Sequence, residues 1–123
     1  MKARAWVIGG ALTAALAATS AEAAMDLSRD IVARGANPEW TLKVERGVQF
    51  TLIRPGKPAL MATAPGAAIS SAAATWSAKT TDGRPMQVTL QTRACAVGAS
   101  RYPMTAQVTF GAETFSGCAS PAP

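Results

Sequence analysis

Trp40-Thr41-Leu42-Lys43-Val44-Glu45-Arg46-Gly47-Val48-Gln49-Phe50-Thr51-Leu52-Ile53 decides the fold class of this 123-residue chain. Apolar Trp40, Leu42 and Val44 alternate with polar Thr41, Lys43 and Glu45. After Arg46-Gly47 the alternation resumes, Val48, Phe50 and Leu52 against Gln49, Thr51 and Ile53. Strand side chains project alternately to two faces, so a period of two with a glycine at the reversal predicts a β-hairpin with one buried face.

The same signature recurs toward the C-terminus. Asp82-Gly83 is a turn signal, followed by Met86, Val88 and Leu90 alternating with Gln87, Thr89 and Gln91. The longest alternation is Tyr102, Met104, Ala106, Val108 and Phe110, which Gly111-Ala112-Glu113 turns into a return strand from Thr114 to Cys118. Residues 57–63 and 75–81 read as two further strands with weaker alternation. Short strands separated by turn signals predict an all-β fold, a small antiparallel meander closed into a barrel or sandwich. Residues 24–34 read as an N-terminal arm or short helix, since Leu27, Ile31 and Val32 have helical spacing and Asp26 suits an N-cap. The alanine-rich stretch 64–74 fits a helix or an irregular loop equally well. Residues 35–119 form the expected single domain, and 120–123 a disordered tail.

Residues 1–23 have the pattern of a cleavable signal peptide. Lys2 and Arg4 precede an apolar run from Trp6 to Ala18, and Ala21-Glu22-Ala23 offers small residues at both positions a signal peptidase reads. A membrane anchor would need about 20 uninterrupted apolar residues, so no stable anchor is expected after cleavage. No cysteine lies near the cleavage site to carry lipid. A periplasmic or secreted location follows, and in such an oxidising compartment the two cysteines, Cys95 and Cys118, are expected to pair. The loop they close gives about 3 kcal/mol by the chain-entropy model.

Composition removes whole classes of chemistry. The protein has no histidine, hence neither the usual neutral-pH base nor the commonest metal ligand; we expect no metal, no cofactor and no enzymatic activity. From Ala24 onward ten Lys and Arg oppose six Asp and Glu, a net charge of +4, but they are scattered. Nucleic-acid binding needs a basic stripe or a stacking platform, and none is present. The carboxylates Glu39, Glu45, Asp82 and Glu113 would matter to a glycosidase only if two of them converged on a cleft. Binding asks less of the sequence. Gly98, Ser100, Arg101 and Tyr102, in a loop of small residues, form a candidate contact surface together with Trp40; Arg and Tyr are enriched at interface hot spots. Trp40 and Trp76 are also the natural core residues of their strands.

Gly35-Ala36-Asn37-Pro38-Glu39-Trp40 resembles the Gly-Asn-Glu-Pro-Phe-Trp entry motif of a family of small bacterial envelope proteins and predicted lipoproteins of unknown function. In that family a Cys-x-Asp-Gly-Met-Ser-x-x-x-Tyr segment precedes a strand pair closed by Gly-Cys-Ala. The counterparts here are the segment from Cys95 to Tyr102 and Gly117-Cys118-Ala119. The Asp and Met of the central segment are missing, and Glu39 stands where an aromatic is usual. The resemblance implies a compact β-domain in the cell envelope. A weaker one is to periplasmic inhibitors of c-type lysozyme, all-β proteins with a Ser-Gly-x-x-Tyr loop that enters the lysozyme cleft; Gly98 and Tyr102 fall in a related order, without the preceding serine and without the Tyr-x-x-x-Thr-Lys-Gly partner segment. The expected function is thus that of a secreted, monomeric, non-catalytic binding protein for an envelope protein or polymer. The alternative is a lysozyme-inhibitor-like protein that blocks an enzyme cleft with loop 97–102.

Overall fold

The computed structural model describes residues 27–36 and 38–122; the expected signal segment 1–23 lies outside the described residues. Eleven strands follow one another: β1 (Ile31–Gly35), β2 (Trp40–Glu45), β3 (Gln49–Ile53), β4 (Leu60–Thr63), β5 (Ala68–Ile69), β6 (Ala73–Thr80), β7 (Pro85–Gln91), β8 (Cys95–Val97), β9 (Ser100–Tyr102), β10 (Met104–Phe110) and β11 (Glu113–Pro121). All pairings are antiparallel. They run β4-β3-β2-β1-β11-β10-β7-β6, and β4 also pairs with β6, at Ala62 with Thr80 and Thr63 with Lys79. This last ladder closes eight strands into a barrel and removes the edges of the sheet.

The hairpin read from Trp40 to Ile53 is present, with Thr41 opposite Ile53 and Glu45 opposite Gln49. Its turn places Arg46 and Gly47 at φ of 54° and 68°, and the Val48 amide donates to the Glu45 carbonyl at 3.1 Å. Val48 itself is 41% exposed, so the inward series on that strand begins at Phe50. The described part of 24–34, expected as an arm or short helix, contains no helix. Residues Ile31 to Arg34 are strand, because Ile31 and Ala33 point into the barrel while β1 bridges β2 and β11. At the other end, Ser120 and Pro121 pair with Val32 and Ile31 and belong to β11 instead of a free tail. The stretch 64–74 contains no helix; it carries the two-residue β5 and the start of β6.

The inward side chains fill the barrel. An eight-stranded barrel has an interior just wide enough for side chains, and here they include Trp40, Leu42, Phe50, Leu52, Trp76, Met86, Val88, Leu90 and Val108, all 1% exposed or less. Large and small residues alternate along the inward face of β6, where Trp76 lies between Ala74 and Ala78. The Trp76 indole meets Phe50 edge-on, with ring centroids 5.5 Å apart. Its Nε1 donates to the Gly47 carbonyl at 2.7 Å, which ties β6 to the β2–β3 turn.

Trp40 does the corresponding job at the opposite end, where β1 turns into β2. Its ring tilts against Phe115 at 6.0 Å, and Nε1 donates to the Ser116 carbonyl at 3.4 Å. This packing requires glycines. A Cβ on Gly35 would overlap Trp40 Nε1 and the Ser116 carbonyl, and one on Gly117 would overlap the Arg34 carbonyl. Gly35, Trp40 and Gly117, which carry much of the family resemblance, therefore form a single packed junction between β1, β2 and β11.

Candidate functional site

Cys95 and Cys118 are bonded, with Cα atoms 5.5 Å apart. Cys118 sits on β11 with its side chain turned away from the barrel interior, between inward Gly117 and Ala119, yet it is 1% exposed. What covers it is the β8–β9 hairpin, an excursion between β7 and β10 that lies against β11. The loop expected at 97–102 is thus a two-stranded ribbon: Cys95 faces Tyr102 and Val97 faces Ser100. Only Gly98-Ala99 separates the strands. Gly98 takes φ of 60°, as the first central residue of the tight turns that match hairpin twist must.

Period two then splits a group that reads as one in the sequence. Cys95, Val97 and Tyr102 are half-buried on the side toward the barrel, whereas Ala96 and Arg101 are exposed on the other. Gly98, Ala99 and Ser100 form the exposed tip. Arg101 and Tyr102 therefore cannot act as one contact unit. Trp40, proposed as part of the same surface, is a core residue at 1% exposure; its place at the start of a strand with an inward pleat decides this. The structure nevertheless brings the two motifs together. Val97 and the turn residues Ala36, Pro38 and Glu39 line one cleft of about 380 Å³, whose floor includes Gly35 and Trp40 and whose rim includes Arg34. Changing exposed Arg101 to serine is expected to shift stability by no more than about 0.5 kcal/mol, readable in a denaturant titration; a larger loss would mean that the hairpin needs this side chain to fold.

A second cleft lies on the far side of the same turn, at the mouth of the barrel. Pro38 and Glu39 form one wall, and Arg54, Pro55, Lys57, Glu113 and Phe115 complete it around about 270 Å³. Glu39 and Glu113 thus converge on one concavity, while Glu45 lies at the other end of its strand. Both residues are exposed, the Glu113 side chain to 51%, and Glu113 Oε1 stands 3.6 Å from Arg54 Nη1. Sequence reasoning passed over Arg54, which follows an alternating strand and reads as an ordinary surface cation. In the barrel its side chain is only 13% exposed.

The fourth carboxylate, Asp82, is occupied by its own turn. It accepts from the Thr80 hydroxyl and, through Oδ2, from Arg84 Nε at 2.9 Å; the Arg84 amide in turn donates to Thr80 Oγ1 at 3.0 Å. The Thr80 hydrogen bond, with help from the Arg84 charge, holds the Asp82 carboxyl below its ordinary pKa. A depressed carboxylate stabilises the fold above the ordinary value of about 4, and that contribution disappears as pH falls through the lower folded value. Thermal melts at pH 5 and pH 2.5 should therefore show a smaller acid-induced fall in Tm for Asp82→Asn than for the wild type.

Among the described residues no group of three His, Cys, Asp or Glu side chains is placed to hold a metal ion, and no helix is long and apolar enough to cross a membrane. Comparison with family models, curated proteins and solved structures finds no match to this protein.

Proposed function

We propose that this protein is an exported, non-catalytic binding protein of the cell envelope that meets its partner through the outer face of the β8–β9 hairpin and the adjoining cleft. The observation that carries the reading is the barrel interior. It is occupied by side chains from end to end, so a ligand of any size must be met on the outside. There the disulfide-held β8–β9 hairpin forms a two-stranded sheet of its own outside the closed ring. Holding it by a covalent bond lowers the ordering cost of binding, since a preorganised surface loses less entropy on association.

The signal-like residues 1–23, the disulfide and the resemblance of the Gly35 to Trp40 segment support an envelope location. Fractionation of the expressing cell, with sequencing of the mature N-terminus near Ala24, tests it. For the binding surface, immobilised wild-type domain is compared with Arg101→Ser and a Gly98-Ala99-Ser100 tip replaced by Asn-Gly. A partner retained by the wild type and lost on both variants supports the reading; equal retention on all three sinks it. The runner-up function, inhibition of c-type lysozyme by the same hairpin, draws on the exposure of Gly98, Ser100 and Arg101. A molar excess of the domain that leaves muramidase activity intact removes it.

A further inference from the structure

Arg54 is the least expected side chain in the molecule. It is only 13% exposed, its Nε is buried with no hydrogen-bond partner, and Nη1 stands 3.6 Å from Glu113 Oε1, beyond hydrogen-bonding distance. Leaving a buried donor unpaired is costly, more so on a charged group, and native proteins rarely do so. The site around it is built. Arg54 lies beside the Phe110 ring at 5.9 Å from its centroid, and Arg84 lies at 4.7 Å from that same ring, so the guanidinium is positioned by the ring, with Nε sealed from solvent and the terminal nitrogens left to face the cleft. The cleft it faces has an apolar wall of Pro38, Pro55 and Phe115, with Lys57 as a second cation at the rim.

We propose that this cleft binds a carboxylate carried on an apolar body of amino-acid size. A guanidinium presents a planar fork of donors that matches two carboxylate oxygens, and such pairs are short and strong. Arg54 supplies that fork, Lys57 a second charge, and Phe115 with the two prolines the surface for the apolar part. A carboxylate is favoured over phosphate by the neighbours. Glu39 and Glu113 line the cleft beside the two cations, so a monoanion meets less repulsion from them than a dianion would. The volume of about 270 Å³ falls just under the usual range for drug-sized ligands, about 300–1,000 Å³, which sets the size. The site lies across the 38–39 turn from the hairpin cleft and does not depend on the hairpin's function.

The test is an amide-shift titration of the ¹⁵N-labelled domain, residues 24–123, with four probes: N-acetylphenylalanine, its carboxamide, a tetrapeptide ending in phenylalanine, and inorganic phosphate. Saturable shifts centred on residues 54–57 and 113–115 are expected for at least one carboxylate probe, with the carboxamide at least tenfold weaker. Binding by the tetrapeptide as well as by the amino-acid derivative identifies a peptide C-terminus as the source of the carboxylate; binding by the derivative alone identifies a small metabolite. Lys57→Gln lies on an exposed loop, leaves the fold intact and should weaken binding two- to fivefold, and Arg54→Lys should weaken it tenfold or more. Carboxamide binding equal to carboxylate, phosphate binding as tight as either carboxylate, or no shift near Arg54 at 20 mM of any probe would overturn the proposal.

Discussion

Replacing Trp76 with alanine should cost this domain on the order of 5 kcal/mol, which for a protein of this size approaches the whole margin of stability. Two effects combine. Deleting a fully buried Trp side chain opens a cavity worth about 3–5 kcal/mol, and the inward positions flanking it on β6, Ala74 and Ala78, offer little side chain to fill the space. The indole also holds the Gly47 carbonyl at 2.7 Å, so its removal leaves that acceptor buried and unpaired, at about 1–3 kcal/mol. Trp76→Phe separates the terms: it keeps most of the apolar volume and should cost about 2–3 kcal/mol, mainly through the lost hydrogen bond and a smaller void. Urea titrations of the three proteins check this. If Trp76→Ala lost less than about 2 kcal/mol, the indole could not be the post around which β6, β3 and the β2–β3 turn are packed.

The double variant Cys95→Ala/Cys118→Ala should lose about 3 kcal/mol, the loop-closure entropy of a bridge spanning 23 positions, and its Tm should fall by roughly 10–20 °C. Alanine is the right replacement because Cys118 is 1% exposed and a serine hydroxyl there would be buried without a partner. The barrel should survive, since its closure depends on the β1–β11 and β4–β6 ladders and not on the bridge. Far-UV circular dichroism of the variant should therefore match the wild type at low temperature while the hairpin amides lose their protection from hydrogen exchange. A variant as stable as the wild type would mean that the hairpin contributes nothing to the folded state beyond its own ordering.

How much of this was legible in the sequence depends on where each residue's neighbours come from. The Trp40 to Ile53 hairpin declares itself because alternation and turn chemistry are both local, and Phe110 to Glu113 does so for the same reason. β1 does not, because its inward side chains are Ile31, Ala33 and Gly35, and a series that ends in a glycine carries almost no hydrophobic contrast. β6 reads weakly for a related reason: its inward positions are Ala74, Trp76, Ala78 and Thr80, sized to interlock with β4 instead of to signal a strand. Thr80 is buried at 5% exposure and looks polar in the sequence, yet its hydroxyl is used by Asp82 and Arg84. The cysteines were readable as a pair, but not the ribbon that one of them holds over the other. Arg54 was invisible, since its burial is created by Phe110 and Glu113, brought to it from across the barrel mouth.

The proposed function rests on a filled, closed barrel with a covalently held hairpin on its outside. Photo-crosslinking tests it most directly. A benzoyl-phenylalanine is placed at Ala96 or Arg101 on the exposed hairpin face, or at Met61, which is 43% exposed on β4, the strand opposite β11 in the ring. Each protein is irradiated in the intact envelope. The account predicts a discrete adduct from positions 96 and 101 and none from 61; adducts from 61 alone, or equally from all three, would contradict it.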